Sequence, residues 1–600
     1  MDFNALDWTI VALYFLVALA IGLAFSRRAG ANLTEYFVSG RNLPWWIAGT
    51  SMVATTFAAD TPLAVTGLIA KNGLAGNWFW WAYAAGGMLT VFVFARLWRR
   101  AEVLTDVELV ELRYSGAAAS ALRGTRALYI ALIVNPIIIG WVTNAMVTIL
   151  KETVLKDPEL SALAASSAGS ALDWYIILGC LLIVGIYSTV SGMWGVAVTD
   201  AVQFVLAMTG CIALAYFAAS SVGGMHALEN QLITGFDDGQ QLLRFLPDFN
   251  AENAWMPLHI FMIIFCVQWW ATWYPGAEPG GGGYVVQRMA SCRDEKHAQY
   301  ATLWYQFAHY CLRPWPWLVV AFVALATYPE LVKHKDPGVG YAWIMRDVSP
   351  HGLRGLLLAT FFAAFMSTIS TQVNWGASYL MRDVYQRFLR PNASDRELTT
   401  ASRRVSILVL VLGAAAAWMM RGVSVDDAWK MLAALGAGTG AVFMLRWFWW
   451  RINAWTEISA MVASLVFYLV FQQLKYFEKE EETMLAVAGA TIVSWLLVTF
   501  MTPPETEVTL TSFYRKVRPD GPGWKPIARL CPEVKTDGQL IWQIIAAGLG
   551  AAVVYSTIPA VGLVLFGKHQ QAAVQITIAL ISGVAMLVVM RRFHQVREAN

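Results

Sequence analysis

Residues 44–70, PWWIAGTSMVATTFAADTPLAVTGLIA, are apolar over a membrane-spanning length except in the middle, where two threonines, an aspartate and a proline interrupt them. A carboxylate at mid-bilayer depth is costly unless a partner or a cavity receives it, so Asp60 marks a cavity or a pathway. Pro62 has no N–H to donate, which frees backbone carbonyls around Ala54 to Ala59 from the helical ladder. In transporters, carbonyls freed at such a break commonly face an ion.

The rest of the chain is of the same kind. Of 600 residues 58% are hydrophobic and only 14% charged, with 28 tryptophans and a mean hydropathy of +0.51, a composition that excludes an ordinary soluble protein. A span needs about 20 apolar residues, and about fifteen such segments can be placed. They centre near residues 16, 57, 87, 138, 183, 206, 268, 315, 367, 411, 438, 463, 491, 552 and 581. With the N-terminus outside, loops 27–43, 96–126, 288–300, 382–404, 446–451, 502–536 and the tail from Arg591 fall inside and hold most of the 43 Lys and Arg. The positive-inside rule therefore predicts an outer N-terminus and a cytoplasmic C-terminus. MDFNALDW lacks the basic start of a secretory signal, so the apolar run that follows reads as a retained span. The six cysteines show no CxxC spacing and read as packing residues.

No loop is long enough for a soluble domain, so function must lie within or between helices. A second break falls at QWWATWYPGAEPGGGGYVVQR, residues 268–288. Gly280–Gly283 lack the GK[ST] that a phosphate-cradling loop requires, which leaves a flexible connection or a broken helix. Position favours the broken helix. Set aside the first span, and the next five and the five after them each open with an interruption, at 55–62 and at 275–283. Paired breaks at corresponding places predict an inverted-repeat secondary transporter with its site at the breaks. The predicted division is 1–43, an N-terminal helix and inner loop; 44–217, the first repeat; 218–255, an outer loop; 256–450, the second repeat; and 451–600, peripheral helices with the inner loop 502–536.

The ninth span carries Ser367, Thr368, Ser370 and Thr371 within five residues. Single hydroxyls in membrane helices bond back to their own carbonyls, but four on more than one face exceed that need. Sodium is a hard cation that takes oxygen ligands, and hydroxyls with freed carbonyls supply them.

Four stretches, YFVSGRNLPWWIAGTSMVATTFAAD at 36–60, TDAVQ at 199–203, VVQRMAS at 285–291 and AAFMSTISTQVNWGASYLMRDVY at 363–385, resemble the sodium:solute symporters, which include bacterial sodium/galactose, sodium/proline and sodium/sialic acid transporters. The resemblance runs from about residue 5 to 475 of the chain. It implies an all-α polytopic protein with a leucine-transporter-like core of two inverted five-helix repeats, one extra N-terminal helix and about four extra C-terminal ones. It also implies a common sodium site on Ala54 and Phe57 of the first broken helix and on Ala364, Ser367 and Thr368 of the eighth core helix. A second sodium site, or a release station, maps to Asp200, Ser367, Ser370 and Thr371. One or two Na+ ions per cycle follow, with two preferred. Read from its residues alone, the less favoured alternative for Asp200 is a helix-start aspartate after a short inner loop.

The resemblance places the solute between the broken helices, at Asp60, Thr61, Trp80, Tyr83, Gln268, Trp269, Trp273, Tyr274 and Arg313. The aromatic cluster WWATWY departs from the galactose-transporter pattern, so sugar specificity does not carry over. Each tryptophan can instead pack or anchor at an interface. Glu278 faces the pocket or sits in a loop. Arg313, the basic residue placed within a span, pairs with Asp60 or Glu278, binds an anionic group, or snorkels outward. His309 lies four residues earlier on the same face.

The expected function is sodium-coupled import of a small polar solute, sugar or amino-acid-like, by alternating access, with no enzymatic chemistry. The alternatives are a transporter-like membrane sensor and a proton-coupled transporter. A monomer in a bacterial inner membrane suffices for transport, with sodium, solute and lipid as partners and no nucleic acid.

Overall fold

The computed structural model describes residues 3–29, 32–155, 169–249, 255–425, 428–429, 437–477 and 479–598. Among these residues the regular elements are helices, and Leu43 and Cys292 form an isolated parallel β-bridge. Eleven helices are long and apolar enough to cross a membrane, twelve when one bent pair counts as a span.

In chain order they are α1 (Ala5–Ser26), the bent pair α2 (Trp45–Thr56) and α3 (Thr61–Asn72), α4 (Leu74–Ala101), α5 (Gly116–Thr153), the short α6 (Leu172–Ile186) and α7 (Gly192–Ser221). The short α8 (Leu258–Ala271), the buried α9 (Gly283–Ser291), α10 (Glu295–Thr327), α11 (Leu353–Leu389) and α12 (Asp395–Met419) follow. The chain ends with α13 (Gly440–Leu445), α14 (Ala454–Leu474), α15 (Glu480–Met501), α16 (Leu540–Leu565) and α17 (His569–Arg592).

The expected count of about fifteen needs qualification for physical reasons. Gly192, at φ 57° and ψ −175°, breaks the helical stretch Gly169–Ser221 and turns the chain between α6 and α7. The Pro- and Gly-rich stretch after Ala271 ends α8 short of a full span. The span expected near 438 draws partly on residues 426–427 and 430–436, which lie outside the described residues, as do parts of the predicted segments 1–43 and 218–255.

Close backbone approaches set the bundle. A Cβ on Gly49 would stand 2.5 Å from the Ala301 carbonyl, so this glycine lets α2 lie against α10. Trp304 Nε1 then donates to Thr50 Oγ1 at 3.0 Å across the same contact. The added helix α1 is tied to the core rather than peripheral. Asp7 Oδ1 accepts from the backbone N–H groups of Gly352 and Gly355, each at 2.8 Å, at the start of α11.

The segment 502–536, expected as an inner loop, is folded onto the core. Arg113 donates to the carbonyls of Arg446 and Trp449, both at 3.0 Å, and its guanidinium stacks on Phe513 and Trp524. Trp524 Nε1 donates to the Trp447 carbonyl at 2.7 Å. A buried guanidinium is tolerable here because carbonyl dipoles and aromatic faces replace its water.

Candidate functional site

The first break has a local cause. The helix α2 ends at Phe57, with φ −94° and ψ 75°, and α3 leaves at 53° to it. Pro62 enters α3 within its first turn, where a missing N–H costs nothing, so the sequence favours a restart over a kink. Phe57 N–H reaches the carbonyls of Val53 at 3.0 Å and Ala54 at 3.1 Å. The Thr55 carbonyl turns instead to α11, where Thr368 Oγ1 donates to it at 2.9 Å. Thr368 Oγ1 also lies 3.1 Å from the Ala364 carbonyl.

The second break runs between Ala271 and Gly283. Gly276, Gly280, Gly281 and Gly283 all have positive φ there, a path that side chains with a Cβ would resist. The path is pinned from outside: Trp98 Nε1 donates to the Gly280 carbonyl at 2.7 Å, Tyr305 Oη to the Gly276 carbonyl at 3.0 Å, and Gly438 N–H to the Ala271 carbonyl at 2.7 Å.

Between the breaks lies a cavity of about 100 Å³. Of the nine predicted pocket residues, Asp60, Thr61, Trp80, Tyr83, Tyr274 and Arg313 line it. Gln268, Trp269 and Trp273 do not. Gln268 spends its amide on the Phe79 carbonyl at 2.6 Å, and Trp269 packs over Gly86. Glu278 is buried beneath the cavity rather than in it, where its Oε2 accepts from Gly276 N–H at 2.9 Å. Of its two expected places, pocket or loop, Glu278 takes the loop, in the non-helical stretch between Ala271 and Gly283.

Arg313 is buried and does not snorkel. Residues Ala308–Leu312 form a π-turn, and Pro314 has no N–H for the His309 carbonyl, so Arg313 Nε takes that carbonyl at 3.2 Å. Arg313 Nη1 donates to Thr56 Oγ1 at 3.0 Å and Nη2 approaches His309 Nε2 at 3.1 Å. No ion pair joins it to Asp60 or Glu278 among the described residues. Asp60 Oδ2 instead accepts from Trp429 Nε1 at 3.0 Å.

A second polar cluster sits in the packed interior where α2, α7, α9 and α11 meet. Asp200 is fully buried within α7, and its partners lie on other helices, so it is no helix-start residue. Ser51 Oγ donates to its Oδ2 at 2.5 Å and Ser367 Oγ to its Oδ1 at 2.7 Å. Arg288 completes the cluster, with Nε on Ser51 Oγ at 3.1 Å and Nη2 on Thr371 Oγ1 at 2.6 Å. Thr371 Oγ1 is 3.0 Å from Thr55 Oγ1. Ser370, counted with this set, bonds back to the Ser367 carbonyl at 3.1 Å.

Arg288, placed by the sequence reading in the inner loop 288–300, is a correction: it lies in α9 and is completely buried. The stretch VVQRMAS held the signal, since its arginine is flanked by apolar residues at helical spacing. Trp429, Tyr305 and Tyr310 are also cavity residues that the sequence reading missed.

The model of the sodium:solute symporter family matches residues 36–466. The chain belongs to the sodium:solute symporter family. It is thus an integral membrane transporter, not an enzyme. The sodium/glucose cotransporter 1 of Oryctolagus cuniculus is 24% identical over 493 residues, 75% of this chain and 69% of that protein. The sodium/glucose cotransporter of Vibrio parahaemolyticus is 23% identical over 485 residues, 77% of this chain and 84% of its own. A solved structure of a Na+-coupled sialic acid symporter in a substrate-bound outward-open state superposes with a TM-score of 0.66 at 20% identity, covering 84% of this chain and 99% of that one. The two share a fold.

Proposed function

We propose that the chain imports a small polar organic solute together with sodium by alternating access, on a core of two inverted five-helix repeats. The N-terminus is outside and the C-terminus cytoplasmic. The observation that carries the reading is the Thr368 hydroxyl seated against the Thr55 carbonyl, at the rim of a cavity that opens between two broken helices. Sodium at this point would draw on the carbonyls of Ala54, Phe57 and Ala364 and on the hydroxyls of Ser367 and Thr368. Each carbonyl retains a lone pair beyond its helical bond, and each hydroxyl has two. The ion would tie α2 to α11 and favour the state that accepts solute. By linkage, solute must tighten sodium binding by the same factor. The inside-negative potential adds about 2.3 kcal/mol per charge per 100 mV to the driving force.

For a second ion, Asp200, Ser367 and Thr371 supply a carboxylate and two hydroxyls. That ion would have to displace the Arg288 guanidinium, which donates to Thr371 Oγ1 and lies 3.7 Å from Asp200 Oδ2.

The test is thermal stability of detergent-purified protein in sodium against potassium, with and without solute, followed by uptake into vesicles. A ligand at 100 times its Kd stabilises by about 2.7 kcal/mol. A sodium-specific shift that grows with solute is expected. No sodium effect on either stability or uptake would end the reading.

A further inference from the structure

We propose that the transported solute is a small zwitterion of the amino-acid or betaine type, its ammonium group held against Asp60 and its carboxylate by Arg313. The proposal rests on the symporter reading and deepens it by naming the solute class.

Two opposite charges face one cavity without meeting. Asp60 is 2% exposed; its Oδ2 accepts from Trp429, while Oδ1 has no partner among the described residues. Arg313 is equally buried, and the partners of its Nε, Nη1 and Nη2 are all neutral: the His309 carbonyl, the Thr56 hydroxyl and the His309 ring. A buried carboxylate oxygen without a donor carries a desolvation cost, and Arg313, whose water is replaced by those neutral groups and by the Trp317 ring face at 5.2 Å, is still a positive charge without an anion. One solute with both charges would relieve both. A neutral sugar relieves neither by charge, and a simple organic cation leaves Arg313 as it is.

The walls fit the cationic end. Tyr83 and Tyr274 lie with ring centroids 5.9 Å apart, and Tyr274 meets Trp429 at 6.4 Å, so an aromatic chain leads to the Asp60 carboxylate. Ring faces attract ammonium and alkylated ammonium groups, most strongly where water is excluded. The anionic end would find Arg313, whose guanidinium is held in place by Thr56 and His309.

The test is ligand-induced thermal stabilisation of the full-length purified chain in sodium. Glycine betaine and L-proline serve as zwitterions, choline and acetate as the separate halves, and D-galactose as the neutral solute. At least one zwitterion is expected to bind more than about tenfold tighter than choline or acetate, a margin of one charge-assisted hydrogen bond. A preference for galactose overturns the proposal, as does choline binding as tightly as the zwitterions. Failure of every zwitterion in protein that sodium alone stabilises also overturns it, and leaves the symporter reading standing. Zwitterion binding that is equal in sodium and potassium supports the solute class and sinks the coupling. Arg313→Gln should weaken glycine betaine but not choline, and Asp60→Asn should weaken both. Equal loss of both ligands in Arg313→Gln removes the carboxylate arm.

Discussion

Arg288 and Asp200 face each other in the interior, guanidinium Nη2 to carboxylate Oδ2 at 3.7 Å, with less than 2% of either side chain exposed. Ser51 joins them, donating to the carboxylate and accepting from the guanidinium. A buried pair of this kind contributes little net stability over an apolar replacement, but removing one partner strands the other. Asp200→Ala should therefore cost about 3–5 kcal/mol in detergent melts, and Asp200→Ala with Arg288→Met should recover most of it. If single and double variants melt alike, the pair is not coupled. For transport, Asp200→Asn should lower the Hill coefficient for sodium, and an unaltered coefficient would assign the cycle to one ion.

Thr368 donates across the helix interface, so its loss should be felt in function more than in folding. Thr368→Ala should abolish sodium-dependent uptake at a stability cost of about 1 kcal/mol. Thr368→Ser, which keeps the hydroxyl, should retain most uptake. Ser367→Ala should likewise abolish sodium-dependent uptake, and normal uptake in both alanine variants would remove the common sodium site from the account.

Gly440 opens α13 against the second break. A Cβ there would stand 2.2 Å from the Trp270 carbonyl and 2.7 Å from Pro279 Cγ, neither the end of a flexible side chain. Gly440→Ala should destabilise by about 1–3 kcal/mol through overpacking. Gly548, inside α16, has nothing within 4 Å of its would-be Cβ. Gly548→Ala should stabilise by about 0.5–1 kcal/mol from helix propensity alone. Comparing the two melting temperatures separates close approach from a general response to alanine.

Glu111, outside the spans at Leu109–Arg113, titrates low. Burial pushes its carboxyl up, but Arg387, Ser120 and Arg123 outweigh that and hold it at about 2 against an ordinary 4.5. A folded-state value below the unfolded one gives stability that is complete above about pH 4.5 and lost as pH falls toward 2. Arg387→Gln should flatten this fall in an acid-stability series, because its guanidinium bonds both Glu111 oxygens at 3.2 and 2.9 Å. An identical acid profile in the variant would show that the pair is screened by solvent.

Much of the site is legible in the sequence. Thr55, Asp60 and Pro62 announced a break by chemistry that no intact apolar helix needs, and the hydroxyls at 367–371 announced oxygen ligands. Gln268, Trp269 and Trp273 do not line the cavity: Gln268 and Trp269, at the end of α8, turn to the Phe79 carbonyl and to Gly86, and Trp273 lies on the path that Trp98, Tyr305 and Gly438 hold from outside. Arg288 was read as a loop cation because hydropathy averages over a window and one arginine near its end looks like a boundary.

The sequence by itself determined the membrane class, the family, both breaks and the residues nearest the proposed sodium position, because apolar length, missing N–H groups and hydroxyl clusters act locally along a helix. Only the tertiary structure decided which buried charges are paired. Trp429 reaches Asp60 across 369 positions and Ser51 reaches Asp200 across 149, contacts set by helix packing that no local pattern encodes. In a low-dielectric interior, that choice of partner separates a charge that is structurally satisfied from one left for a solute.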